Sequence, residues 1–531
     1  MAEQSPYLSE IKPFWRTAFY LTVLALGCVP VSATLAAVAP VPSSAEAQTK
    51  AALERIARLN PQIHAVIAVD PTAMDQARAL DAARADHGPI HGMPVLVKDN
   101  IETTGPLPTT AGSLALLNNV TGRDAPLVAR VRAAGGVIIG KTNLSEWANI
   151  RSGRSISGWS AVGGQTRNPY ALNRNPCGSS SGSAAAVAAG MAAMAIGTET
   201  DGSITCPAAV NGIVGFKPSV GLVSRTHIIP ISQTQDTAGP MARTVREAAL
   251  LLTAMAGSDP LDPATQEADA RKKDYAAALS ATSLKGARLG VLRFATGFGT
   301  DGPFEAALRV LRDQGAVLVD IDAFPEQQAI SDAETIVLFT ELKAYLNAYL
   351  AGTPSTVQTR SLADVIAFNR ARAADEMALF GQELFEKAQE MPGLDDPAYL
   401  KARADAVRLA GPEGIDKILK SHRLSALIGP TMPPAWMIDA VNGDQISGGG
   451  AGSLAAVAGY QHLTVPMGSV KGLPVGISFM GSKWSDADIL SFGFAFEQAS
   501  KNGMTPRFLP AIEQSEEIVP LLLPAGAGAK P

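Results

Sequence analysis

Two short stretches decide how this chain is read: Pro176-Cys177-Gly178-Ser179-Ser180-Ser181-Gly182-Ser183 and Gly197-Thr198-Glu199-Thr200-Asp201-Gly202-Ser203-Ile204. Both are rich in Gly and Ser where a packed core would not choose them. The first leads into the Ala-rich stretch 183–193, and the second leaves the apolar run 192–196. Small residues let backbone approach a ligand closely, and consecutive N–H groups in such a turn can hold an anion. Each is therefore a loop fit for a site, although a Gly/Ser loop alone is most often only a loop.

Reading outward, helical spacing and short apolar strands alternate. Residues 49–59 have helical spacing that is expected to stop at Asn60-Pro61, and 71–85 and 125–134 read as further helices. Residues 63–69, Pro94-Val95-Leu96-Val97 and 136–140 read as strands. The pattern returns at 287–293 and 316–321 around a helix at 304–312, and at 426–428 and 472–480. It points to an α/β layer architecture. Residues 338–408 read as a helical, more charged insertion.

Composition bounds the function. The 531 residues are 47% hydrophobic and 18% charged with a net charge of −5, which excludes a largely disordered chain. No long Lys/Arg block occurs, so nucleic acid is not expected as a partner. Six scattered histidines and the absence of C-x-x-C or H-E-x-x-H spacing argue against a metal centre. Near the start, Lys12 and Arg16 precede 29 residues without a charge, the layout of a secretory signal. Ala45-Glu46-Ala47 offers a cleavage site that would leave Gln48 first, with Ala37-Val38-Ala39 as a second candidate. A retained anchor is the alternative, and stable membrane association is expected only in that case. The expected organisation is thus a signal over 1–47, one large domain over 48–515 and a flexible tail over 516–531. Cys28 would leave with the signal. Cys177 and Cys206 are read as two buried free thiols, although an exported protein also permits a disulfide between them.

Gly178-Ser179-Ser180-Ser181-Gly182 has the form of a nucleophile elbow, but that elbow needs a strand immediately before the serine. Asn173-Arg174-Asn175-Pro176-Cys177 cannot make one, and His227, His422 and His462 have no suggestive setting. Lys98 is more informative, because it closes an apolar strand. Its ammonium either reaches solvent or Asp99, or is desolvated so that its pKa falls and it can act as a base.

Lys98, Ser179 and Ser203, each in its own distinctive loop, closely resemble the amidase signature family. The family's first Gly/Ser segment falls on Cys177–Gly182 and its second on Gly197–Ser203. Flanking residues fit as well: Val97-Lys98-Asp99-Asn100, Gly140-Lys141-Thr142-Asn143, Gly215-Phe216-Lys217-Pro218, Asp236-Thr237-Ala238-Gly239-Pro240 and Gly472-Leu473-Pro474-Val475-Gly476. The resemblance implies a large twisted mixed sheet covered by helices on both faces. It also implies a Ser–cis-Ser–Lys triad: Ser203 as nucleophile, Ser179 as the bridging serine on a cis peptide, and Lys98 as base. The backbone N–H groups of Thr200, Asp201, Gly202 and Ser203 would form the oxyanion hole, Ser180 and Ser181 would be supporting, and no cofactor or metal is needed.

The variants P-C-G-S-S-S-G-S and G-T-E-T-D-G-S look like the peptide amidase branch, so the expected substrate is a short peptide carrying a C-terminal amide. A general amidase on small aliphatic or aryl amides is the alternative. An ammonia-supplying subunit of tRNA-dependent glutamine synthesis shares the fold but is disfavoured by the export signal. A catalytically inactive binding protein would not be expected to keep all three side chains. Pocket walls are expected from 149–160 and 338–408.

Overall fold

A computed structural model of the chain describes residues 44–83, 88–448 and 450–524. Residues 1–43 of the expected signal, with its second cleavage candidate and Cys28, lie outside the described residues. Ala45-Glu46-Ala47 forms the first turn of the helix Ala45–Ile63, capped by the Ser44 side chain. The Asp81 carboxylate accepts from the backbone N–H groups of Ala45 and Glu46 at 2.8 and 3.0 Å.

One sheet of eleven strands organises the chain. In chain order these are β1 (Val66–Val69), β2 (Pro94–Lys98), β3 (Val137–Thr142), β4 (Met194–Glu199), β5 (Val214–Lys217), β6 (Thr237–Ala242), β7 (Arg288–Leu292), β8 (Val317–Ile321), β9 (Ala426–Pro430), β10 (His462–Val470) and β11 (Leu473–Met480). Their order across the sheet is β1-β3-β2-β4-β6-β5-β10-β11-β9-β7-β8. The pairs β2–β3, β2–β4, β9–β7 and β7–β8 are parallel and the rest antiparallel, so the sheet is mixed, as expected.

Residues of β2 and β4 are all buried, and alternate side chains serve opposite faces. Val95, Val97 and Ile196 join the core beneath the helices Pro126–Ala133, Val245–Met255 and Asp486–Ser500. Leu96 and Ala195 join the core beneath Ala45–Ile63 and the Ala-rich helix Ser181–Ala188. A strand covered on both faces reads as a continuous apolar run, which is why 94–97 was readable as a strand and 192–196 stood out as an apolar stretch.

Boundaries differ from the sequence reading most clearly at the end of the first helix and at the start of the insertion. The first helix runs through Pro61 to Ile63, because a proline in the last turn removes only one hydrogen bond. His64 then closes the helix in the left-handed conformation, its N–H on the Asn60 carbonyl. The helical insertion starts at Gln327 rather than 338 and comprises Gln327–Ala351, Leu362–Ala371, Ala373–Glu376, Glu383–Glu390 and Pro397–Ala410. Within the expected tail, Val519–Leu522 is a single exposed 3-10 turn.

Candidate active site

Parallel strands β2 and β4 lie side by side, Val97 opposite Ile196, and β4 runs on to Glu199 past the end of β2 at Lys98. The crevice beyond the carboxyl ends of parallel strands is the general ligand position of such sheets. Lys98 is the last residue of β2 and is fully buried. Its Nζ hydrogen-bonds Ser179 Oγ at 2.8 Å, Thr198 Oγ1 at 2.8 Å and the Thr198 carbonyl at 3.3 Å. Asn100 Nδ2 also donates to Thr198 Oγ1, at 3.0 Å, which fixes that hydroxyl. Burial pushes the Lys98 amine down to about 7, against a smaller upward pull from Asp236 and Glu199. Of the two sequence-based alternatives for this lysine, the desolvated one is realised.

The Gly178–Ser179 peptide is cis. Around it the two Gly/Ser stretches are sewn together by hydrogen bonds. Ser180 N–H donates to the Ser203 carbonyl at 3.1 Å. Ser180 Oγ donates to the Thr198 carbonyl at 3.0 Å and accepts from Thr198 N–H at 3.2 Å. Ser181 Oγ donates back to the Cys177 carbonyl at 2.6 Å and opens the helix Ser181–Ala188. Both serines thus hold the loops. A Cβ at position 182 would lie 2.2 Å from the Ala65 carbonyl oxygen, so only glycine lets the loop pass there.

Ser203 follows Gly202, whose φ of +75° makes the turn that presents residues 200–203. Glu199, at the end of β4, accepts from the N–H groups of Ile204 and Thr205 at 2.7 and 3.0 Å, and so holds the chain just past Ser203. Among the described residues, the backbone N–H groups of Asp201, Gly202 and Ser203 have no hydrogen-bond acceptor, and the Ser203 hydroxyl has no partner. Thr200 Oγ1 donates to Asp236 at 2.6 Å and Ser453 Oγ to Asp201 at 2.8 Å. Burial raises both carboxyls to about 6.

Cys177 and Cys206 form a disulfide, which corrects the reading of two free thiols. The bond joins the stretch carrying Ser179 to the short helix that follows Ser203, and both cysteines are almost completely buried. Two cysteines 29 residues apart in sequence carry no sign of proximity until the loops are docked. His462 is buried in β10 with Nε2 on Ser478 Oγ at 2.6 Å, and burial pushes it to about 3, whereas His227 neighbours Glu102.

A cavity of about 450 Å³ opens beside the turn. Asn149, Ser157, Gly178, Asp201 and Gly202 line it, and its opposite wall is Thr431, Met432, Asp444, Ile446 and Ser453. The 149–160 stretch therefore contributes as expected, but residues 338–408 do not line this cavity. The sequence reading missed the 431–453 loop, whose only signal was its run of glycines at 448–450.

The family model described as Amidase matches residues 47–490. The chain belongs to the amidase signature family. It is a hydrolase acting on amide C–N bonds. This amidase is similar to the solved native peptide amidase from Stenotrophomonas maltophilia, at 51% identity and a TM-score of 0.82, covering 88% of this chain and 95% of that one. A solved complex of peptide amidase with the competitive inhibitor chymostatin gives 52% identity and a TM-score of 0.84, covering 88% and 96%. A probable amidase from Arabidopsis thaliana is 41% identical over 470 residues, 86% of this chain and 87% of that one.

Proposed function

We propose that this amidase is exported and removes the C-terminal amide of peptides, releasing ammonia through an acyl-enzyme on Ser203. The observation that carries the mechanism is the buried Lys98 amine, lowered to about 7 and 2.8 Å from Ser179 Oγ. A serine hydroxyl is a weak nucleophile until a base takes its proton. Neutral Lys98 accepts the proton of Ser179 as Ser179 accepts that of Ser203. Ser203 Oγ bonds to the amide carbon, and the carbonyl oxygen becomes an oxyanion held by the N–H groups of Thr200, Asp201, Gly202 and Ser203. One such donor is worth on the order of 3 kcal/mol in the transition state. The proton then returns through Ser179 to the leaving nitrogen, the C–N bond breaks, and ammonia departs. Water repeats the relay in reverse to free the acid.

Support for a peptide substrate comes from the likeness to peptide amidase over 88% of the chain, together with a cavity of about 450 Å³, more volume than a small aliphatic amide fills. Export is supported by the charge-free run after Arg16. A cut after Ala47 would remove the Ser44 cap and the Asp81 contacts of the first helix, which favours the upstream candidate Ala37-Val38-Ala39. The test is ammonia release by the mature chain from a short C-terminally amidated peptide and a small aliphatic amide at equal concentration. The expected outcome is a strong preference for the peptide; preference for the small amide would leave a general amidase.

A further inference from the structure

A second cavity, of about 320 Å³, adjoins the first, and Gly450 and Ser453 line both. Its walls are the rings of Phe294 and Phe298, the aliphatic side chains of Ile330 and Leu454, and one carboxylate, Glu334. Glu334 stands in the helix Gln327–Ala351 and is tied to the turn before Ser203 through one side chain. Gln235 Nε2 donates to Glu334 Oε1 at 2.8 Å and to the Thr200 carbonyl at 3.3 Å. Asp201 borders the same junction through Ser453. Among the described residues, no Lys, Arg or His lies within ion-pair distance of Glu334 or Asp201. A carboxylate left without a counter-charge beside apolar and aromatic walls is costly, and burial accordingly raises the Glu334 carboxyl to about 8.

We propose that this cavity is a specificity subsite for a cationic side chain, a guanidinium above all, on the amidated substrate. Glu334 gives up its proton to solvent as the cation enters and then supplies the counter-charge, while the aromatic rings of Phe294 and Phe298 in the wall favour a planar cation. Gly448 serves the same wall: a Cβ there would fall 2.0 Å from the Phe298 ring, so glycine lets Phe298 pack against the 431–453 loop. The inference rests on the amide-hydrolase reading of Ser203 and deepens it by naming the substrate class.

The experiment compares kcat/KM for ammonia release from two acetylated dipeptide amides, one ending in argininamide and one in norleucinamide, with wild type, Glu334→Gln and Glu334→Lys. Wild type is expected to favour argininamide roughly tenfold or more, the scale of one partly desolvated charge pair. The ratio should fall towards unity in Glu334→Gln and below it in Glu334→Lys, with most of the change in KM. A wild-type ratio near one, or a ratio that survives both substitutions, overturns the subsite. Because the readout is a ratio within each protein, partial loss of folded enzyme does not imitate it. Hydrolysis of neither peptide by wild type would instead strike the peptide-amide reading itself.

Discussion

Lys98→Met should make this protein inactive and, near neutral pH, more stable. Unfolded lysine titrates at 10.5, whereas burial holds Lys98 at about 7. At pH 7.5 the fold must therefore keep neutral an amine that the unfolded chain protonates, a cost of roughly 4 kcal/mol. Methionine fills a similar length without a charge, but gives up the bonds to Ser179 and Thr198. Thr198 keeps Asn100 on its hydroxyl and Ser180 on its carbonyl, so the loss is about 2 kcal/mol. The net gain is about 2 kcal/mol at pH 7.5. The sign with pH follows from linkage. Between about 7 and 10.5 the unfolded state binds the extra proton, so wild-type stability gains on the variant by a factor of about ten in the folding constant per pH unit. The variant's advantage should thus be about 3 kcal/mol at pH 6.5 and should reverse, by less than about 1 kcal/mol, in favour of wild type at pH 9.5. Urea denaturation of both proteins at the three pH values measures it. A variant no more stable than wild type at pH 6.5, or a difference that does not decline with pH, would refute the claim that Lys98 is held neutral.

Ser203→Ala should lower ammonia release by roughly a thousandfold or more while leaving the circular dichroism and melting temperature unchanged; retained turnover would remove Ser203 as nucleophile. In the wild type, kcat/KM should fall as pH drops below about 7, because protonated Lys98 cannot accept the Ser179 proton. A profile flat to pH 5 would take Lys98 out of the relay. Replacing both Cys177 and Cys206 by Ala releases a closed loop of 29 residues and should cost roughly 3 kcal/mol in urea denaturation; a loss under about 1 kcal/mol would mean that the packing around the loops already confines them.

What the sequence revealed and what it hid divide along physical lines. Strand β2 was legible because burial on both faces leaves an unbroken apolar run, with Lys98 as the charge that closes it, and β4 showed only as the apolar stretch 192–196. The Gly/Ser stretches were legible because close approach selects glycine, as at Gly182 against Ala65. The Cys177–Cys206 bond was not, since it depends on how two loops dock rather than on either loop's composition. Nor was the 431–453 wall, a segment without periodicity that meets Asp201 through Ser453, some 250 residues away in the chain. The helix that passes Pro61 escaped for a smaller reason: tertiary anchoring of Asn60 by Val66, with bonds of 2.8 Å in both directions, outweighs one local breaker.

The strand order carries a consequence for how the chain comes into being. Lys98, Ser179 and Ser203 all belong to the first 242 residues, which end with β6, yet β5 finds its second neighbour only in β10, whose register sets Phe216 opposite Leu463. Until synthesis has reached that late segment, the half that already holds every reacting side chain presents β5 as a bare, apolar, unpaired edge. Such an edge invites pairing with another molecule of the same kind. The amino-terminal half on its own is thus a seed for aggregation rather than a small enzyme, and a helper that shields nascent chains would have to act on it before the carboxy-terminal strands arrive.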